Sequence, residues 1–124
     1  MPVYLSHYPA GASFKQWVHY CQIYNSGEFK KRDFGVEKNL EVYGSEKPPL
    51  YDLSLVTAPV ALHYGANDNI VSRNDIENIK QQLSNTIGVY EVELPLFNHL
   101  DFVYGIDAKT LVYDKILSIM NDFE

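Results

Sequence analysis

Residues 89–102 read VYEVELPLFNHLDF, so Asn98, His99 and Asp101 crowd together just after an alternating, strand-like run. A second polar knot, Asn67, Asp68 and Asn69, follows the apolar run PVALHYG. An imidazole titrates near neutrality, so it can take a proton and return it. A carboxylate facing one ring nitrogen fixes the tautomer and stabilises the imidazolium, and the other nitrogen can then remove a proton from a serine hydroxyl. Asp68 and His99 are therefore candidates for the acid and the base of a nucleophilic triad. Taken singly, each has a plainer reading. Asp68 also suits a turn that bonds its own backbone, and His99 also suits a loop imidazole held by a nearby backbone group. Asp101, two residues from His99, is better placed to cap the following turn or brace the loop, and Asn98 reads as structural.

The other reactive residue types are less well placed. His7 carries less weight, as do His19, on the polar side of a predicted helix, and His63, within a predicted strand. A metal site drawn from His63, His99, Asp68 and Asp101 lacks any close-spaced ligand pair such as H-x3-H, and no metal is expected. Cys21 is the only cysteine, which excludes an internal disulfide and a cysteine-rich metal site. It lies on a helical apolar stripe and reads as a small buried filler. No G-x-S-x-G occurs in the sequence. In GASFK, Ser13 follows Gly11 but has Lys15 where the second glycine belongs, and no strand precedes it. It reads as a helix cap, not a nucleophile.

The elements that must position these groups follow from periodicity. GASFKQWVHYCQIYNSGEF predicts a helix, with Ser13 and Gln16 as a capping box and Gly27 as its stop. Phe14, Trp17, Val18, Cys21 and Tyr24 form its apolar stripe, expected to pack as core or cap surface. From Glu28 to Pro49 the pattern dissolves into charges, Gly35, Gly44 and Pro48-Pro49, which predicts a long connection. PVALHYG predicts a strand buried on both faces. SRNDIENIKQQL predicts a helix capped by Ser72 or Asn74. GVYEVELP predicts a strand with Tyr90, Val92 and Leu94 on one face and Glu91 and Glu93 on the other. TLVYDKILSIMNDF predicts a helix with Val112, Ile116, Ile119 and Phe123 along its inner stripe. A strand–helix–strand–helix order makes the two strands parallel neighbours. Their carboxyl ends, where open α/β sheets gather function, then carry Asp68 and His99 side by side.

Composition narrows the partners. At 124 residues the chain is one small domain at most, and 46% hydrophobic with 21% charged residues marks globular material. A net charge of −6 argues against nucleic acid, which needs clustered basic residues; Lys30-Lys31-Arg32 is the only such group and reads as a solvated turn. No apolar run approaches the ~20 residues of a membrane span, and the first residues do not read as a signal peptide. Two parallel strands alone make an incomplete sheet, so the chain is expected to be the end of something larger.

SHYPAGASFKQWVHYCQ, PPLYDL, APVALHYGANDNIV and PLFNHLDFVYGIDA together resemble the C-terminal part of the acid lipase family, the gastric and lysosomal acid lipase relatives, over nearly the whole chain. NHLDF followed by YG-x-x-D is the most specific part. The resemblance implies an α/β class, the last two parallel strands and helices of an α/β-hydrolase core over residues 49–124, preceded by the end of a helical cap region over residues 1–48. It implies Asp68 as triad acid and His99 as triad histidine. It also implies hydrolysis of triacylglycerols or cholesteryl esters through an acyl-serine, without cofactor or metal, in a secreted or lysosomal enzyme that meets a lipid interface. The missing serine departs from the family pattern. This chain is expected to be inactive alone and to need the N-terminal part of the same polypeptide. The alternative is a degenerate, non-catalytic hydrolase remnant that binds a partner or associates with itself.

Overall fold

The computed structural model describes Ser6 and residues 10–123. His7, with the other residues of 1–5 and 7–9, lies outside the described part. The chain forms two compact units, Met1–Tyr51 and Asp52–Glu124.

In the first unit, α1 (Phe14–Ser26) begins at the expected capping box. Ser13 accepts from the backbone of the first turn while its own N–H donates to Gln16 Oε1 at 3.3 Å. Gly27 ends the helix at φ +66°, a conformation that glycine adopts without a Cβ penalty. The helix faces the opposite way from expectation. Phe14 is 78%, Trp17 61% and Tyr24 77% exposed, Cys21 is exposed, and no α1 residue is buried. Cys21 is therefore not a buried filler. The half-buried side is mixed, with Val18 and Ile23 beside the polar His19 and Gln22, and His19 Nε2 lies 2.7 Å from Lys30 O. Gln22 Nε2 donates to Asp33 O at 2.8 Å, and Asp33 N donates back to Gln22 Oε1 at 3.0 Å. The 30–33 loop offers backbone groups that need partners, and an imidazole and an amide can supply them where aromatic rings cannot.

The expected long connection also contains a helix. α2 (Val36–Tyr43) lies between Gly35 at φ +88° and Gly44 at φ +71°; both glycines are its boundaries and not breaks in an irregular segment. Asn39 within it is 1% exposed. Its Oδ1 accepts from Phe34 N at 3.0 Å, and its Nδ2 donates to Asp33 Oδ1 at 2.8 Å and Glu46 O at 2.9 Å. A buried amide satisfied on both atoms is tolerated, and this one ties both ends of α2 together. Residues 29–31 and 49–51 pair antiparallel through Lys31 N to Pro49 O at 3.0 Å and Tyr51 N to Phe29 O at 2.9 Å.

The second unit holds β1 (Val60–Tyr64), α3 (Arg73–Gln82), β2 (Thr86–Glu91), the short α4 (Asp101–Tyr104), a π-helical stretch over Lys109–Tyr113 and α5 (Asp114–Asn121). β1 and β2 form a two-stranded parallel sheet, with Leu62 opposite Val89, His63 opposite Tyr90 and Tyr64 opposite Glu91. This is the α/β arrangement expected, since parallel neighbours need a crossover and α3 supplies it. Ser72 caps α3, sharing a capping box with Asp75. Only Tyr64 of β1 is buried; Val60 to His63 are half-buried, because a two-stranded sheet gives β1 a single neighbour.

β2 starts at Thr86 and ends at Glu91, short of the predicted Pro95. Val92 N still reaches Tyr64 O at 2.9 Å. A turn closed by Phe97 N to Leu94 O at 2.9 Å then draws the chain off the sheet. Leu94 is 43% exposed and shares no strand face with the buried Val92. The turn instead buries Phe97, 1% exposed, against Val92 and Val112, with Phe102, Leu111 and Ile116 around them. The last helical stretch keeps Val112 inside at 1% exposure and Ile116 and Ile119 half-buried, whereas Phe123 is exposed.

Candidate active site

The two strand ends deliver the loops as the sheet requires. After Tyr64 the chain passes Gly65 and turns, Asp68 N donating to Gly65 O at 3.2 Å. Asp68 Oδ1 accepts from Ile70 N at 2.8 Å and from Val71 N at 2.9 Å. Its other oxygen, Oδ2, lies 3.0 Å from His99 Nδ1. A carboxylate has no proton to give, so Nδ1 carries the hydrogen and donates. One Asp68 oxygen therefore organises the turn while the other meets the imidazole. His99, in turn, bonds a side chain across 31 positions of sequence and not a neighbouring backbone group.

Exposure divides the pair. The Asp68 side chain is 4% exposed and that of His99 46%. The acid is sealed in while the imidazole side chain stays largely open to solvent. Burial alone would raise the Asp68 carboxyl, but the Val71 and Ile70 N–H groups and the His99 ring together hold it below its ordinary value. Asp68 is thus an anion in its site.

That lowered carboxyl has a measurable consequence for stability. The ordinary value is 3.8, and the folded-state value lies lower, so the stabilisation is fully present above 3.8 and is lost as pH falls through the folded value. We expect the thermal midpoint of the chain to drop on acidification below 3.8, and the Asp68→Asn chain to show a shallower drop. Parallel curves for the two chains would contradict this.

The neighbouring residues serve the loop. Asp101 Oδ2 accepts from Asn98 N at 2.8 Å, and Asn98 Oδ1 accepts from Leu100 N at 2.9 Å. Asp101 braces the loop as expected, and Asn98 is structural. His63 lies apart, stacked on Tyr90 with ring centroids 4.9 Å apart. Burial, with Lys115 nearby, pushes its imidazole down from the ordinary value. Among the described residues no cluster of three or more His, Cys, Asp or Glu could hold a metal ion. No helix of the described residues is long and apolar enough to cross a membrane.

Two sets of supporting contacts were not foreseen from the sequence. The backbone donors Ile70 and Val71 are local turn chemistry, foreshadowed only by the favour Asp enjoys after a strand. Gly65 and Asn67 tie the acid loop to the histidine loop, and nothing in periodicity points to them.

No protein-family model matches the chain. Its sequence is 40% identical to Lipase 1 of Drosophila melanogaster over 119 residues, 96% of this chain and 27% of that protein. It is 43% identical to Lipase 3 of the same fly over 116 residues, 94% and 29% respectively. With the gastric triacylglycerol lipase of Bos taurus it shares 37% identity over 121 residues, 97% and 30%. The chain is homologous to animal lipases over nearly all its length. It spans about three tenths of the length of these curated relatives. Within this lipase-related chain, the acid and the imidazole meet at the carboxyl ends of the two parallel strands.

Proposed function

We propose that this chain is the C-terminal part of a serine carboxylic-ester hydrolase of the α/β-hydrolase fold, in which it supplies the triad acid Asp68 and the triad base His99. The observation that carries the reading is the 3.0 Å contact between His99 Nδ1 and the buried Asp68 carboxylate, with the kinship to lipases in support. Asp68 holds the proton on Nδ1, which leaves Nε2 as the base. Nε2 removes the hydroxyl proton of a serine contributed by polypeptide outside this sequence, and the alkoxide attacks the ester carbonyl. As the tetrahedral intermediate collapses, the imidazolium gives its proton to the departing alcohol, leaving an acyl-serine. His99 then deprotonates a water that attacks the acyl carbonyl, and as the acyl–serine bond breaks the imidazolium returns the proton to the serine oxygen, releasing the fatty acid. The substrate class that fits is a triacylglycerol or cholesteryl ester met at a lipid interface, in an enzyme sent to the outside of the cell or to the lysosome. No metal or organic cofactor enters these steps.

A fluorophosphonate probe separates this from a non-catalytic role. We expect no serine of the isolated chain to be labelled, because the nucleophile and the oxyanion donors that follow it lie elsewhere. We expect an antibody to this stretch to detect a native species several-fold longer, labelled by the probe and bearing an upstream G-x-S-x-G. Labelling of the isolated chain, or a native species of this length that takes no probe, would overturn the proposal. The second outcome would instead favour a remnant that only binds.

A further inference from the structure

We propose that Gly65 and Asn67 are positioning residues that clamp the acid loop onto the histidine loop and so set the Asp68–His99 contact; the proposal rests on the catalytic reading of that pair. Asn67 N donates to Phe97 O at 3.1 Å and Asn67 Nδ2 donates to Leu96 O at 3.2 Å. These two bonds lie one residue before Asp68 and two to three residues before His99. Among the described residues they join the two loops alongside the Asp68–His99 contact itself.

The clamp closes because Gly65 has no side chain. A Cβ there would lie 2.4 Å from Phe97 O and 3.1 Å from Phe97 C, where real Cβ atoms do not come under 3.0 Å. The φ of Gly65 is not positive, so close approach and not backbone conformation demands the glycine. The opposing carbonyl cannot easily retreat, since Phe97 is 1% exposed and packed in the core. A methyl group at residue 65 therefore pushes the acid loop away from the histidine loop, and it does so three residues before Asp68. The 3.0 Å contact has little slack, because a hydrogen bond of this kind weakens within a few tenths of an ångström. The two side chains thus inherit their distance from a backbone clamp.

The test reads the tautomer of His99 in the full 124-residue chain by long-range proton–nitrogen NMR of labelled histidine. In the unaltered chain we expect the proton on Nδ1, and we expect Asp68→Asn to remove it. Gly65→Ala should bring the Nδ1-protonated share down to about half or less, since the acid no longer dictates the tautomer, while the amide signals of residues 60–64 and 86–91 persist. Asn67→Leu, similar in size, keeps the backbone bond to Phe97 and removes only the side-chain donor; it should produce a smaller fall of the same kind. If Gly65→Ala loses the strand signals, Asn67→Leu decides, and a tautomer share unchanged there overturns the clamp. Both variants matching the unaltered chain, with Asp68→Asn still effective, overturns the clamp and leaves the catalytic pair standing. An unaltered chain without the Nδ1 proton, or one that Asp68→Asn does not change, overturns the pair and the clamp with it.

Discussion

Replacing Asp68 by asparagine in the proposed complete hydrolase is expected to lower kcat by about 10⁴-fold with KM nearly unchanged. The size of the effect comes from the division of labour between the two carboxylate oxygens. Oδ1 accepts from two backbone N–H groups, Ile70 at 2.8 Å and Val71 at 2.9 Å. In an asparagine the carbonyl oxygen must take that place, because an amide nitrogen there would face two donors. The NH2 group is then left pointing at His99 Nδ1. A donor facing Nδ1 forces the ring to accept at that atom and to carry its hydrogen on Nε2, the nitrogen that receives the serine proton in the proposed mechanism. The substitution therefore selects the wrong tautomer while leaving the loops in place. Steady-state kinetics on a soluble ester would measure it, and a loss below tenfold would show that Asp68 does not orient the base.

The legibility of this molecule differs sharply between its local and its tertiary features. The capping of α1 by Ser13 and Gln16 was readable because all its bonds close within four residues. The pairing of β1 with β2 was readable because an apolar run, an amphipathic helix and a second strand admit few topologies. Asp68 and His99 then follow, since the ends of adjacent parallel strands bring their loops together. α2 was not readable. Gly35 and Gly44 look like breakers in sequence, and only the fold shows that they bound eight helical residues at positive φ.

The inward side of α1 misled for a different reason. Hydrophobic periodicity assumes that the core is apolar, yet in the first unit the helix also meets the carbonyls of Lys30 and Asp33 and the amide of Asp33. His19 and Gln22 satisfy those groups, and the aromatic stripe is left exposed. The shortened β2 has the same origin. Alternation in VYEVELP continues past Glu91, but Phe97 buries only if the chain turns at Leu94, and that demand arises from residues far along the chain such as Val112.

Phe97 is where fold and site depend on one side chain, and Phe97→Ala is expected to cost about 3–5 kcal/mol of folding stability. The ring is 1% exposed, stands edge-on to Phe102 with centroids 4.9 Å apart and packs with Val92 and Val112. Truncation removes its burial and leaves a cavity that the surrounding backbone, held by the Asn67 bonds, can fill only in part. Against a total stability of roughly 5–15 kcal/mol for an ordinary domain, such a loss leaves little native population. Phe14→Ala, at a position 78% exposed, should change stability by no more than about 0.5 kcal/mol. Urea denaturation of the three chains, followed by far-ultraviolet circular dichroism, gives the comparison directly. The Phe97 backbone also accepts the Asn67 N–H and its ring lies against Gly65, so the same substitution should loosen the Asp68–His99 contact. A Phe97→Ala chain that unfolds within 1 kcal/mol of the unaltered one would mean that some other cluster, and not Val92, Phe97 and Val112, holds the two loops in register.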